Sequence, residues 1–251
     1  MKKLKDNIYA NCKSGKKAFA VLLDPDKLNP EILENRIASI NSSAVDYVFV
    51  GGSLISSDNM SFVLSELKEK TFIPKIIFPG NGLHINDLAD GILLLSLISG
   101  RNSDFLIGQH VISAPILKRS KLEKISTGYM LVDGGKPTTV SYISNTIPLP
   151  NNKPDIAAAT AIAGEMLGLN LIYLDAGSGA QIPVSEAIIS TVKKNIEVPL
   201  IVGGGINTIQ KASKALAAGA DIIVVGNAIE DNPSFLSEVS QLIESYNLSE
   251  A

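Results

Sequence analysis

Short runs of apolar residues alternate along the whole chain with longer segments of helical periodicity. The runs predict eight strands, at residues 18–24, 47–51, 75–79, 91–98, 128–133, 171–175, 200–203 and 221–226. Valine, isoleucine and leucine fill most of them without polar alternation, which is typical of parallel strands covered on both faces. Strands and helices that alternate in this way over 251 residues predict an α/β fold, a (β/α)8 TIM barrel, as a single domain of residues 1–251.

Capping signals locate several of the helices. Asn29 and Asn232 each precede a proline, which is the order of an N-cap and a first helical residue. Another helix is predicted to begin after Thr208. The segment that follows Asn232 carries one apolar face at helical spacing, formed by Phe235, Leu236, Val239, Leu242, Ile243 and Tyr246.

One connection is too short for the pattern. Only residues 80–90 separate the third strand from the fourth, whereas a parallel crossover usually needs a dozen or more residues and contains a helix. We therefore predict that the third outer helix is lost or shortened. Its loss would expose a slot in which an apolar tail could lie, and a short loop covered by other side chains is an equally good interpretation.

The connection between the fifth and sixth strands, residues 133–155, is long for a plain loop. Residues 138–143 within it are predicted to be extended. The connection could fold over the mouth of the barrel as part of a lid, or it could be a surface excursion.

Three glycine-marked turns follow the last three strands. They occupy residues 175–179, residues 203–205 and the pair Gly226 and Asn227. Glycine lets a backbone approach a ligand closely, and helix N-termini present free N–H groups to anions. The carboxyl ends of barrel strands share one rim, so the three turns predict a phosphate-binding cup.

Two acidic residues at that rim are candidates for binding a metal ion. Asp24 ends the first strand, where a carboxylate could hold Mg²⁺, with Asp26 as the second candidate. Lys27 could offer a point charge to a phosphate or diphosphate, and Ser53, after the second strand, could join the metal or phosphate shell. The alternative for Asp24 is a structural role, because Asp-Pro pairs also begin turns.

Tyr173 and Asp175 alternate with Leu174 and therefore point to the same side of the sixth strand. A carboxylate inside a barrel mouth is unfavourable unless it is paired or functional. We interpret Asp175 as the general base and Tyr173 as a donor that orients a substrate hydroxyl. The alternative is a carboxylate that only accepts hydrogen bonds from neighbouring backbone.

Composition narrows the class of protein. A net charge of −3 gives no support to a nucleic-acid partner. The single cysteine, Cys12, excludes an internal disulfide and fits a reducing compartment. The longest apolar run, residues 92–98, is far shorter than the ~20 residues of a membrane helix. We expect a cytoplasmic protein without a transmembrane segment that forms a homo-oligomer, a dimer or larger.

The chain resembles the geranylgeranylglyceryl phosphate synthases, which include the bacterial heptaprenylglyceryl phosphate synthases. The matching stretches are residues 22–27, 50–53, 78–81, 173–180, 202–206 and 225–227. They follow one another in order across nearly the whole chain. The turn that begins at Tyr173 is specific, whereas the triple-glycine turn at residues 203–205 is shared by many phosphate-binding barrels.

The resemblance implies a barrel without a regular third outer helix. It implies that a long prenyl group, such as geranylgeranyl, moves from its diphosphate to the C3 hydroxyl of sn-glycerol 1-phosphate in ether-lipid biosynthesis, with release of diphosphate. It also implies Mg²⁺ near Asp24 and Ser53. The implied glycerol phosphate site consists of Tyr173, Leu174, Asp175, Ala176, Gly177, Ser178, Gly179, Gly203, Gly204, Gly226 and Asn227.

One position departs from that family, which usually has glutamate where this chain has Asp175. The carboxylate is kept, but its side chain is one methylene shorter.

An enzyme of this kind could collect its lipid substrate by touching a membrane surface. Two other functions stay open on the residues alone: an isomerase or lyase that binds a sugar phosphate in the same cup, and a non-catalytic barrel that binds phosphates or a partner.

Overall fold

The computed structural model describes residues 3–52, 54, 59–232 and 234–249. Its strands form a closed parallel barrel in chain order. They are β1 Ala18–Leu23, β2 Tyr47–Gly51, β3 Lys75–Phe78, β4 Gly91–Leu97, β5 Glu123–Leu131, β6 Leu171–Asp175, β7 Leu200–Gly203 and β8 Ile222–Val225. The predicted (β/α)8 barrel is confirmed. β5 begins at Glu123, earlier than predicted, because it pairs with β4 along the whole of that strand.

Side chains alternate between the inside and the outside of the barrel. In β6, Leu171 and Tyr173 belong to the apolar cluster within the barrel, whereas Ile172 and Leu174 belong to the cluster between the strands and the outer helices. The same alternation in the other strands gives two separate cores. Inward positions at the carboxyl ends of the strands therefore face the mouth, and Asp175 is one of them.

The helices cover the outside and one end of the barrel. They are α1 Leu4–Lys13, α2 Pro30–Asn41, α3 Met60–Lys70, α4 Gln109–Arg119, α5 Thr139–Ser144, α6 Pro154–Met166, α7 Glu186–Asn195, α8 Ile209–Ala217, α9 Ala228–Asp231 and α10 Phe235–Ser249. At the start of α1, the N–H groups of Leu4 and Lys5 donate to the Glu123 carboxylate, at 2.6 and 2.9 Å. This contact attaches the first helix to the amino end of β5.

The caps predicted at Asn29 and Thr208 are present. The Asn29 side chain accepts from Ile32 N at 2.8 Å and Thr208 accepts from Lys211 N at 3.2 Å. Asn232 precedes α10, and the proline after it lies outside the described residues. The predicted apolar face of α10 is confirmed: Phe235, Leu236, Val239 and Ile243 are buried, and Leu242 and Tyr246 are partly buried.

The missing third outer helix is confirmed as well. Residues 79–90, all of them described, run from β3 to β4 through turns without a helix. His84 organises this loop, because its Nδ1 accepts from Gly80 N at 3.1 Å and its Nε2 lies 3.0 Å from the Asn81 side-chain amide. The outside of the barrel between β3 and β4 consequently lacks the helix that would normally connect these two strands.

The prediction of extended structure at residues 138–143 is wrong, because Thr139–Ser144 form the short helix α5. The Ser141 hydroxyl accepts from Thr138 N at 3.0 Å and thereby closes the first turn. The β-branched and aromatic side chains that favour a strand instead lie on a helix that packs over the barrel. A Cβ atom on Gly177 would lie 2.7 Å from the Thr138 side chain, so this segment covers one side of the mouth.

Among the helices that the described residues form, none has both the length and the hydropathy needed to cross a bilayer.

Gly51 provides a direct test of how β2 and β3 pack. It has a φ of +149°, and a Cβ atom there would lie 1.9 Å from the Phe78 carbonyl oxygen. We expect Gly51→Ala to lower the free energy of unfolding by about 3 kcal/mol, because the backbones of β2 and β3 must move apart to make room for the added carbon. Urea denaturation measures the change.

Gly168→Ala is the matched control for Gly51→Ala. Gly168 also has a positive φ, +83°, but nothing lies within 4 Å of the added carbon. We expect a cost of about 1 kcal/mol from the backbone conformation alone. Equal costs in the two variants would contradict the steric explanation.

Candidate active site

The carboxyl ends of the strands enclose a polar cavity at the mouth of the barrel. Ten of the predicted site residues line it: Asp24, Lys27, Tyr173, Asp175, Gly177, Ser178, Gly179, Gly204, Gly226 and Asn227. The strand order places these residues together although they are far apart in sequence. Three other predicted positions that the structure describes, Leu174, Ala176 and Gly203, do not line this cavity.

Those three residues occupy other places in the fold. Leu174 points outward into the core between strands and helices, and Ala176 is buried, with its N–H donating to the Gly203 carbonyl at 3.1 Å. Gly203 lies beneath the Tyr173 ring, where a Cβ atom would be 2.5 Å from the hydroxyl oxygen. Ser53 lies outside the described residues. Their roles in binding stay predictions.

Asp175 ends β6 and is held at both carboxylate oxygens. Oδ1 accepts from the Gly177 N–H at 2.7 Å, and Oδ2 accepts from the Tyr129 hydroxyl at 2.6 Å. The residue is 9% exposed. Burial raises the pKa of the carboxyl group, and the hydrogen bonds from Tyr129 and Gly177 oppose that rise. A carboxylate in this position combines restrained geometry with a shifted pKa, as expected of a catalytic group.

Tyr173 stands two residues before Asp175 on the same inward face of β6. Its side chain lines the cavity, and within the described part of the chain its hydroxyl has no hydrogen-bond partner. Burial and the neighbouring Asp175 carboxylate raise the pKa of Tyr173 well above its ordinary value. The hydroxyl therefore stays protonated at neutral pH and can donate to a ligand in the mouth.

Sequence reasoning missed Tyr129. It lies on β5 opposite Tyr173 in the sheet register. The rings of Tyr129, Tyr173 and Phe78 meet edge to face, with centroids 5.5 to 6.0 Å apart. No motif marks Tyr129, and the available signal was its inward position near the end of a strand. The three rings form the floor of the mouth.

The turn after β7 is shaped around Asp175. Gly204 has a φ of +79°, and a Cβ atom there would lie 2.6 Å from Asp175 Oδ1 and 2.6 Å from Gly177 N. A side chain at this position would displace either the carboxylate or the turn after β6. The two glycine turns thus pack against each other and against the acid.

Lys27, Ser178 and Asn227 are linked across the rim. The Lys27 ammonium donates to Asn227 Oδ1 at 3.2 Å, and the Asn227 amide donates to the Ser178 hydroxyl at 3.1 Å. The three come from the turns after β1, β6 and β8. They place a positive charge and two neutral hydrogen-bonding groups beside the glycine turns, a combination that suits a phosphate.

Asp24 lies directly after β1, in the same turn as Lys27. Its side chain caps a single 3-10 turn, Pro25–Lys27, by accepting from Asp26 N at 3.2 Å. A Cβ atom on Gly52 would lie 3.7 Å from its carboxyl carbon, so the turn after β2 lies beside this carboxylate. Asp24 is therefore structural and at the same time faces the cavity.

An apolar groove opens beside the mouth where the third outer helix is missing. The outward face of β4, the loop 79–82, α4 and α5 form its walls, with Ile92, Leu94, Phe105, Leu117, Val140 and Ile143 among the lining side chains. Polar contacts interrupt it: the Gly82 N–H donates to Gln109 Oε1 at 2.7 Å, and His110 Nε2 lies 3.0 Å from Ser96 Oγ. Phe78 lines both the groove and the mouth, and Tyr129 lines the groove while its hydroxyl reaches Asp175.

The fold and the site define a (β/α)8 barrel whose buried acid lies between a polar cup of glycine turns and an apolar groove. The family comparison agrees with that class. The model of the PcrB family matches residues 12–244, and the chain belongs to this family.

Relatives with an assigned activity cover nearly the whole chain. A geranylgeranylglyceryl phosphate synthase of Spirosoma linguale is 56% identical over 94% of this chain and 95% of its own length. One of Thermococcus gammatolerans is 42% identical over 91% and 90%. The crystal structure of (S)-3-O-geranylgeranylglyceryl phosphate synthase from Thermoplasma acidophilum, in complex with sn-glycerol-1-phosphate, has a TM-score of 0.91 and 31% identity, covering 99% of this chain and 100% of that one.

The buried carboxylate should weaken the fold at neutral pH. The folded pKa of Asp175 is raised above its ordinary value of 3.8. The carboxyl group therefore stabilises the folded state at pH values below 3.8. This stabilisation is lost as the pH rises through the pKa of the folded state. Asp175→Asn can still accept from Gly177 N through its amide oxygen, while its amide nitrogen must donate to the Tyr129 hydroxyl oxygen, which reverses that hydrogen bond. We expect this variant to be more stable than the wild type at pH 7 in urea denaturation. The gain should shrink as the pH falls toward 3.8.

Asp133→Asn is the control for this comparison. Asp133 is exposed, and its Oδ1 also accepts from the N–H two residues on, that of Gly135, at 2.9 Å. We expect no comparable gain there. A loss of stability at pH 7 in Asp175→Asn would contradict the argument.

Proposed function

We propose that this protein transfers a prenyl group from its diphosphate to the C3 hydroxyl of sn-glycerol 1-phosphate, as in ether-lipid biosynthesis. The observation that carries the proposal is the buried Asp175 carboxylate at the junction of a polar cup and an apolar groove. The named activity of the relatives and the glycerol phosphate in the Thermoplasma structure support it. A sugar-phosphate isomerase or lyase would use the cup but would have no use for the groove.

Glycerol phosphate would occupy the mouth. Its phosphate would lie against the glycine turns of β6, β7 and β8, with Ser178 and Asn227 at hand for hydrogen bonds. The hydroxyl groups would then point down toward Tyr173 and Asp175, which lie deeper on β6. Such an orientation holds one hydroxyl beside the acid before any reaction takes place.

The prenyl chain would lie in the apolar groove. Its reactive end would reach the mouth beside Phe78, which lines both spaces, and its tail would run along the outward face of β4 beneath α4 and α5. Burying a long hydrocarbon there is favourable by about 0.8 kcal/mol for each methylene. The length of the chain, geranylgeranyl or another, depends on where the groove closes.

Mg²⁺ would be held by Asp24, with Ser53 as the second predicted ligand. Among the described residues, no three His, Cys, Asp or Glu side chains converge on one point. One rim carboxylate fits Mg²⁺, which commonly takes one or two carboxylates and completes its shell with phosphate oxygens and water. When bound, the ion neutralises charge on the departing diphosphate. Lys27, in the same turn as Asp24, would offer a further positive charge to the diphosphate.

The reaction exchanges one bond for another. The C3 oxygen of glycerol phosphate forms a bond to the first carbon of the prenyl chain, and the bond from that carbon to the diphosphate oxygen breaks. The proton of the C3 hydroxyl passes to Asp175, and diphosphate leaves with its electron pair. Tyr173 would orient the hydroxyl by donating a hydrogen bond to the glycerol phosphate, since its own hydroxyl faces the cavity.

Exposed apolar side chains on the outer face of α4, including Val111, Ile112 and Ile116, favour contact with another surface. A second copy of the chain would fit the predicted homo-oligomer, and a membrane surface would fit the collection of a lipid substrate. Both stay predictions.

Removal of the base is the direct test of the proposed function. With sn-glycerol 1-phosphate, geranylgeranyl diphosphate and Mg²⁺, we expect the wild type to release diphosphate and to form the glyceryl ether, detected by mass spectrometry. Asp175→Asn should slow that reaction by ~10²–10⁴-fold, while sn-glycerol 1-phosphate still binds in calorimetry. Full activity of Asp175→Asn would remove the role given to this residue.

Asp24→Asn separates the metal role from the base role. This variant should need more Mg²⁺ for half-maximal rate, and Asp175→Asn should not. Asp26→Asn is the matched control, because it removes the neighbouring carboxylate. The variant that needs more Mg²⁺ identifies which of the two rim carboxylates is the ligand. A wild type that releases no diphosphate with any prenyl diphosphate, yet binds phosphates, would favour a non-catalytic barrel.

The groove makes a separate prediction about chain length. Leu94 lies on the outward face of β4 and lines the groove, so Leu94→Trp should fill part of it. We expect the longest accepted prenyl diphosphate to become shorter in a chain-length series, with short substrates little affected. Ile116→Trp, on the exposed side of α4, is the control. Unchanged length preference in Leu94→Trp would place the tail elsewhere.

A further inference from the structure

Tyr129 connects a rigid part of the barrel to the acid. Its hydroxyl donates to Asp175 Oδ2 at 2.6 Å, while Gly177 N donates to Oδ1 at 2.7 Å. Each carboxylate oxygen can accept two hydrogen bonds. One position on each oxygen is therefore used for orientation, and a second position on each stays available for a substrate hydroxyl.

The position of that hydroxyl is fixed by packing. The Tyr129 ring is 5% exposed and contacts the rings of Phe78 and Tyr173, with centroid distances of 6.0 and 5.5 Å. A ring held on several sides cannot follow the carboxylate if the carboxylate turns. The hydrogen bond therefore imposes the orientation of the ring on Asp175, and the reverse influence is small.

We propose that Tyr129 is a positioning residue of the reaction, whose hydroxyl holds the Asp175 carboxylate in the orientation that receives the substrate proton. This inference rests on the proposed function, because it assumes that Asp175 is the base. The competing explanation is that the hydroxyl only satisfies a buried acid and has no effect on the reaction.

The surroundings of Asp175 make the two explanations distinguishable. The titratable side chains that face it are Tyr129 from β5 and Tyr173 from β6, while β7 contributes glycine, and Asp24 and Lys27 line the far side of the mouth. Burial raises the pKa of Asp175, and the hydrogen bond from Tyr129 lowers it. Removal of the hydroxyl should therefore raise that pKa further, which a change in packing alone would not do.

The experiment follows the single-turnover rate of the enzyme with both substrates bound, as a function of pH. The rate falls at low pH when the base becomes protonated. We call this low-pH fall of the rate the acid limb, and the constant rate at higher pH the plateau. We expect Tyr129→Phe to move the acid limb to higher pH and to lower the plateau rate about tenfold, as for the loss of one hydrogen bond to a charged group. The KM for sn-glycerol 1-phosphate should change little.

Tyr173→Phe is the matched control, since it removes the neighbouring hydroxyl and leaves both hydrogen bonds of Asp175 in place. Its acid limb should coincide with that of the wild type, whatever its plateau. An unmoved acid limb in Tyr129→Phe would overturn the proposal. If Tyr129→Phe does not fold, difluorotyrosine introduced at position 129 keeps the ring and strengthens the donor. The limb must then move to lower pH, and an unmoved limb again overturns the proposal.

Failure of this inference differs from failure of the proposed function. If Asp175→Asn keeps full activity, the base assignment fails and Tyr129 loses its role with it. If Asp175→Asn is inactive and the acid limb of Tyr129→Phe does not move, the base assignment stands and Tyr129 alone is excluded.

Discussion

Burial of one carboxylate is the constraint around which the mouth of the barrel is built. Asp175 is almost fully enclosed, and an ionised group in such a place is unfavourable unless its oxygens are hydrogen-bonded. Gly177 and Tyr129 supply one donor each. Gly204 must lack a side chain because a Cβ atom would collide with Oδ1. The glycine turns therefore accommodate the acid, in addition to the phosphate that we propose they bind.

The three aromatic rings that form the floor of the mouth have two functions. Phe78, Tyr129 and Tyr173 exclude water from the base of the mouth, and Phe78 and Tyr129 also close the inner end of the apolar groove. Exclusion of water raises the pKa of the acid, which costs stability at neutral pH. In the proposed reaction the same rings would place a hydrocarbon chain next to a polar reagent. A barrel selected for stability alone would have no reason to keep a carboxylate there.

Much of this architecture could be predicted from the sequence, because it depends on local pattern. Apolar runs followed by glycine mark the strands, and the short connection at residues 80–90 shows that a helix is missing. The inward direction of Tyr173 and Asp175 follows from the alternation of side chains along a strand. These features need only neighbours in the chain, and the structure agrees with them.

The parts that were missed depend on distant contacts. Tyr129 belongs to an unremarkable strand, and only the register of β5 against β6 brings it to Asp175. Residues 138–143 have the composition of a strand, yet they form a helix because they pack over the barrel instead of joining a sheet. The link from Lys27 to Asn227 joins residues from opposite ends of the chain. Pairings of this kind are set by the closed barrel and leave no local signal.

The contact with Gly177 explains why an aspartate suits position 175. A side chain of this length can accept a hydrogen bond from the backbone N–H two residues on, as aspartate commonly does in turns. Glutamate, one methylene longer, is less suited to that contact. In this chain the acid is thus tied to the same turn that carries Ser178 and Gly179 beside the cup. The proposed base and the β6 turn of the proposed phosphate cup are therefore joined by this hydrogen bond, so the distance between them is set mainly by the backbone of one turn.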